Sequence, residues 1–254
     1  MSRLRRHGGR IGGPRASIDM NSLMNGLKNS SLMGQGIVVV QLLASIVMVA
    51  IAIGKWRGLK KMEHASRRVS HDVMGGRDVL DYYLARHPNG QTPLENIYWA
   101  TCERLLRLLA PDVRTLLMGR QPGVQVALTA HEMGLVKALS EHVLDEEEIR
   151  VERGMGAIAT VVALAPMLGL LGTVWGVLDA FAAIGTATTV SIKKMAPDIS
   201  AALVTTVIGL VVAIPGVIVH TWLNSSTRGL MSLMEGFTDD LIGRVALEFQ
   251  GRAA

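Results

Sequence analysis

Cysteine occurs once in 254 residues, at Cys102. An intrachain disulfide is therefore excluded, and a reducing compartment is consistent with that segment. Aromatic residues are scarce at 4 %, and the apolar half of the chain is built from Leu, Val, Ile, Ala, Gly and Met. Catalytic patterns are also missing. His131-Glu132 is not followed by a histidine four residues after the first, which excludes a zinc-protease helix. Gly54-Lys55 lacks the upstream glycine of a phosphate-binding loop, and the seven histidines are scattered. No catalytic residue, metal ligand or cofactor is assigned, and the chain is not expected to be an enzyme.

Charge is absent where it matters most. Gly36 to Gly54 holds 19 residues without an ionisable group, ending at Lys55. At about 1.5 Å per residue that stretch spans roughly the 30 Å hydrocarbon core of a bilayer. Met155 to Thr189 is interrupted only by Asp179, and Ile199 to Leu223 has no acid, Lys or Arg, only His220 near its end. These windows predict three transmembrane helices, over 36–54, 154–189 and 199–223. A net charge of +5 then belongs to the flanks of the membrane segments rather than to a nucleic-acid surface.

Orientation follows from the flanks of the first span, because Lys and Arg close to a helix end are retained inside. Upstream stands only Lys28; downstream stand Lys55, Arg57, Lys60, Lys61, Arg67 and Arg68. The N-terminus is therefore expected outside and the C-terminus in the cytoplasm. Arg3, Arg5, Arg6, Arg10 and Arg15 pull the other way, but they lie more than 20 residues from the first span. Residues 1–35 are expected to be a basic, disordered external tail, with no cleavable signal peptide.

The polar remainder reads as helical: 55–153 as a cytoplasmic loop, 190–198 as a short external loop and 224–254 as a cytoplasmic helix. Pro93 sits at a helix start, and Leu94, Ile97, Tyr98, Leu105, Leu108 and Leu109 recur at three- and four-residue steps. Leu230, Leu233, Met234, Phe237, Leu241 and Val245 form a near-heptad stripe in the C-terminal helix. That stripe suits packing on its own subunit and sharing with a neighbouring copy equally well. The fold class is all-α, a three-span membrane protein with long helical cytoplasmic extensions.

Small residues mark the second and third spans. Gly172 and Gly176 form a G-x-x-x-G pair with Gly169 one turn before, and Ala201, Thr205, Gly209 and Ala213 repeat every four residues. Such stripes let helix backbones approach closely. Thr173 lies one turn after Gly169, and Thr206 sits mid-span with Thr205 beside it, so each can turn a hydroxyl toward an interface, a polar path or the carbonyl one turn back. Pro166 and Pro215 each free a carbonyl and can bend their helix. Asp179 and Asp198 fall near the outer rim, so no carboxylate stands at mid-membrane to carry a proton alone.

Ala165-Pro166, Gly169-Leu-Leu-Gly-Thr-Val-Trp-Gly176, Ala180-Phe181, Ala196-Pro197-x-Ile199, Ala202-Leu-Val-Thr-Thr-Val-Ile-Gly-Leu210 and Ala213-Ile-Pro215 together resemble the TolQ/ExbB/MotA proton-channel subunits of ion-driven motors. The Gly-Thr-Val-Trp-Gly run is more similar to the TolQ and ExbB branch. The resemblance covers residues 155 to 224, about a quarter of the chain. It implies a bacterial inner-membrane pentamer around a central pore that holds the membrane helices of two TolR/ExbD-like partners. It also implies that the partner supplies the proton-carrying aspartate, and that Thr173 and Thr206 lie on the path. One departure stands out: where many members carry a glutamate, this chain has Ala201. Asp179 or Asp198 can replace its electrostatic role, or the motor can work without it. A three-span transporter or secretion subunit, and a non-conducting scaffold, are the alternatives.

Overall fold

A computed structural model describes residues 32–85, 90, 92–119, 127–185 and 192–249. Most of the expected N-terminal tail, and residues 186–191 between the second and third spans, lie outside the described residues. Among the described residues there are seven helices and no strand: α1 (Leu32–Met74), α2 (Asp81–Ala85), α3 (Pro93–Leu108), α4 (Pro111–Met118), α5 (Ala130–Glu152), α6 (Met155–Gly185) and α7 (Ile192–Phe249). The all-helical class follows from the sequence, and α1, α6 and α7 are each long and apolar enough to cross a membrane.

Their boundaries are written locally. Thr92 caps α3, its hydroxyl accepting the Glu95 N–H at 3.2 Å, with Pro93 in the first turn, where a missing N–H costs nothing. Thr129 and Glu132 make a reciprocal capping box at the start of α5. Between α5 and α6 the chain turns through Gly154 at φ +90°, a conformation that favours glycine. Lys55 holds this corner by donating to the Val151 and Arg153 carbonyls, the latter at 2.8 Å.

Two of the long helices are longer than their apolar windows. α7 runs unbroken for 58 residues, about 87 Å at the standard rise, through both Pro197 and Pro215. Ile192 to Asp198, expected in the external loop, are already helical, and α1 begins at Leu32 rather than at Gly36. Pro197 is the sixth residue of α7, past the four free N–H groups of the first turn, so it removes one intrahelical hydrogen bond, and the helix continues through it.

Contacts divide the chain into two compact units, residues 1–43 with 164–212 and residues 44–163 with 213–254. The second unit has an ordinary core. Leu94, Ile97, Tyr98 and Leu105 of α3 are fully buried, as is Val136 of α5. The Thr101 and Ser140 hydroxyls meet at 2.8 Å across α3 and α5, each also bonded within its own helix. Leu230, Met234, Phe237, Leu241 and Val245 are buried in this same unit, so the C-terminal stripe packs on its own chain. Arg244 secures it by donating to the Val73 and Gly76 carbonyls, both at 2.8 Å.

The apolar windows behave differently. Only 28, 22 and 39 % of their residues in α1, α6 and α7 are buried within the chain. Leu170, Val174, Leu178 and Phe181 on α6, and Val211, Ile214 and Ile218 on α7, are each at least 59 % exposed. A surface of this kind needs lipid or further protein against it.

Candidate functional site

In the first unit α6 and α7 pack at backbone distance because residues without bulk meet there. A Cβ built on Gly169 would stand 2.9 Å from the Thr206 Cα, and one on Gly176 only 2.6 Å from the Ala202 Cβ. At Gly172 it would lie 2.8 Å from the Thr205 Cβ, and at Gly209 2.6 Å from the Ala165 carbonyl oxygen. Real Cβ atoms do not approach this closely, so glycine at these positions sets the helix separation.

Close approach brings three hydroxyls and two carbonyls into one cluster. Thr205 donates to the Ala202 carbonyl at 2.7 Å and reaches the Gly169 carbonyl at 3.1 Å. Thr206 lies 2.9 Å from the Gly169 carbonyl and is hydrogen-bonded to the Thr173 hydroxyl. Thr173 is also 3.2 Å from both the Gly169 and Ala202 carbonyls. A hydroxyl has one proton to donate and two lone pairs to accept. One assignment satisfies all three: Thr173 donates to Thr206, Thr206 to the Gly169 carbonyl and Thr205 to the Ala202 carbonyl. The reverse sense, Thr206 donating to Thr173 and Thr173 to a carbonyl, uses the same atoms. This is a short hydrogen-bonded chain with two directions, set within an apolar helix pair. Thr205 is 1 % exposed, whereas Thr173 and Thr206 are half-buried and border the surface.

The other small positions serve packing. Ala201 is 2 % and Ala213 5 % exposed, each within its own unit. A carboxylate in place of Ala201 would enter the helix packing. Pro215 is exposed and lines a groove in the second unit instead of meeting the cluster. Asp179 is exposed on α6, six residues beyond Thr173, about 9 Å by helical rise. Asp198 is half-buried, eight residues before Thr206, about 12 Å away by the same measure. Neither is among the threonines' hydrogen-bond partners within the described residues.

Sequence patterns did not single out Gln41. It is 1 % exposed in α1, and its side-chain amide donates to the Ala165 carbonyl at 3.1 Å while its Oε1 has no partner among the described residues. Its Nε2 also lies 3.0 Å from where a Gly209 Cβ would stand, which ties the first helix to the α6–α7 contact. The available signal was the amide itself, since an unpaired amide in an apolar span is costly. Ala165, Ala202 and Gly216 were likewise overlooked as contact residues, because nothing in a run of small residues says which of them face a partner.

Residues 114–236 match the MotA/TolQ/ExbB proton channel family. The Tol-Pal system protein TolQ of Pseudomonas aeruginosa is 25 % identical over 225 residues, covering 88 % of this chain and 92 % of that one. The biopolymer transport protein ExbB of Neisseria gonorrhoeae is 42 % identical over 92 residues, 36 % of this chain and 42 % of its own length. A solved structure of C. jejuni MotAB aligns over 91 % of each chain with a TM-score of 0.38 and 17 % identity, a likeness too low to support an argument.

Proposed function

We propose that this chain, whose residues 114–236 match the MotA/TolQ/ExbB proton channel family, is the pore-forming, stator-like subunit of a proton-driven motor in the bacterial inner membrane. Five copies surround a pore, and two single-span partners of the TolR/ExbD kind occupy it. The N-terminus is outside and the C-terminus cytoplasmic. Proton flow drives relative movement of the two parts, and the partner's distal domain delivers the work. The chain aligns with nearly the whole TolQ relative but with only 92 residues of the ExbB one, which favours a TolQ-like subunit working on the cell envelope.

The observation that carries this reading is the joined hydroxyls of Thr173 and Thr206, with the Thr205 hydroxyl on the same two carbonyls. A hydrogen-bonded chain with two senses can pass a proton along and reset, but a hydroxyl does not itself hold a proton at neutral pH. An ionisable group must therefore face it. Asp179 and Asp198 are each more than a turn away along their helices, so the carboxylate comes from the partner helix. The exposed apolar faces of α6 and α7 supply the surface for that helix and for neighbouring copies. A scaffold or a secretion subunit has no need of such a chain.

Reconstitution with the co-expressed partner tests it. Thr173→Val and Thr206→Val are expected to abolish proton flux into vesicles, whereas the serine versions, which keep the hydroxyl, retain it. Unchanged flux in both valine variants, or an intact complex whose mass corresponds to other than five copies, overturns the reading.

A further inference from the structure

A groove of about 330 Å³ lies between α1 and α7 in the second unit. Its floor includes Met48, Ala52 and Leu223, at most 7 % exposed, and its rim includes Ile53, Trp56 and Trp222, each at least 40 % exposed. The lining is wholly apolar, and the groove lies where the apolar windows of both helices give way to polar sequence. Trp56 and Trp222 meet edge to face at that end, with ring centroids 5.9 Å apart. Amphipathic rings of this kind sit at headgroup level.

Along α1, the charge just beyond the rings is of one sign. The Lys60 ammonium lies 4.8 Å from the Trp56 ring centroid, and Arg57 and Lys61 are exposed beside it. None of the three is in an ion pair among the described residues. Lys55 is different, since it is already bonded to the Val151 and Arg153 carbonyls. No acid occurs in residues 36–62 of α1 or 199–234 of α7; the next along α1, Glu63, is paired with Arg67 at 3.0 Å, and Glu152 at the end of α5 lies within electrostatic reach of Lys55. On α7 the ionisable groups at this level are His220 and Arg228.

An apolar slot capped by tryptophans and followed by unpaired cations matches one molecule, an acyl chain carrying a negative headgroup. We propose that this groove binds an anionic phospholipid, one acyl chain lying between α1 and α7 and the phosphate drawn to Lys60, with Arg57 and Lys61 alongside. The site rests on the membrane location of the helices and is independent of proton conduction.

The full chain is placed in phosphatidylcholine nanodiscs containing brominated phosphatidylglycerol or, at equal mole fraction, brominated phosphatidylcholine. A Trp99→Phe, Trp175→Phe background removes the other two of the four tryptophans, and the emission of Trp56 and Trp222 is read. Stronger quenching by the anionic lipid is expected, and that preference should fall about fivefold for each charge removed in Arg57→Gln, Lys60→Gln and Lys61→Gln. Ala52→Phe, which fills the floor, should weaken quenching by the anionic lipid. If that variant fails to fold, the three surface variants decide alone. Equal quenching by both lipids means ordinary boundary lipid and overturns the site. A preference indifferent to the charge variants, or rings shielded from both lipids by a protein segment, overturns it as well.

Discussion

Replacing Gly209 by alanine puts the helix contact to a quantitative test. The new methyl would stand 2.6 Å from the Ala165 carbonyl oxygen, 3.0 Å from the Gln41 amide nitrogen and 3.3 Å from the Gly169 Cα, where ordinary contact begins near 3.4 Å. The nearest atom belongs to a helix backbone and cannot rotate away, so α6 and α7 must part by roughly 0.8 Å, the difference between 3.4 and 2.6. Overpacking of this kind costs about 1–3 kcal/mol. Parting the helices also lengthens the Thr205 contact to the Gly169 carbonyl, one turn away, and interhelical hydrogen bonds in membranes average about 0.6 kcal/mol. Alanine gains up to about 1 kcal/mol over glycine in helix propensity, which blurs a single measurement. Gly54→Ala and Gly156→Ala carry that same gain at positions where a Cβ meets nothing within 4 Å. Subtracting them leaves packing alone. Reversible unfolding in mixed detergent micelles, followed by circular dichroism, should therefore place Gly209→Ala about 1–3 kcal/mol below the two controls. A value within about 0.5 kcal/mol of them, the ordinary scatter of harmless substitutions, would show that this backbone contact does not set the spacing.

Other outcomes follow from the second unit. The buried Tyr98 hydroxyl donates to the Val79 carbonyl at 2.6 Å and accepts the Tyr83 N–H at 2.9 Å. Tyr98→Phe orphans both and should cost about 1–3 kcal/mol in thermal unfolding, with no change in the membrane helices. Burial pushes the Cys102 thiol up to about 12, so a maleimide at pH 8 should label the native protein negligibly and the unfolded chain readily. Appreciable native labelling would contradict the burial. Burial raises the Glu248 pKa, opposed by the hydrogen bond from the Val79 N–H at 2.9 Å. A carboxyl raised in the folded state gives stability that is complete below its unfolded pKa and is lost as pH rises through the folded value. Glu248→Gln should flatten that part of the stability profile, and a profile identical to the parent's would refute the assignment.

The helical membrane class and the resemblance to the TolQ/ExbB/MotA subunits were legible without coordinates. A run of apolar residues has its transfer free energy whatever its neighbours are, so three membrane helices could be read from Gly36–Gly54, Met155–Thr189 and Ile199–Leu223 without coordinates. The Gly-Leu-Leu-Gly-Thr-Val-Trp-Gly motif is likewise local. Capping at Thr92 and the turn at Gly154 also answer to neighbours within a few residues. Spacing of four along a helix says which small residues share a face, yet it is silent about what that face meets. Only the tertiary structure set Gly172 against Thr205, Gly176 against Ala202 and Gly209 against Ala165, because the register between two helices depends on both surfaces together. It alone joined the Thr173 and Thr206 hydroxyls, and it alone brought Gln41 from a third helix to the Ala165 carbonyl. The continuation of α7 past its apolar window was decided there too, since its C-terminal half is held by burial of Leu230, Met234, Phe237, Leu241 and Val245 rather than by the bilayer.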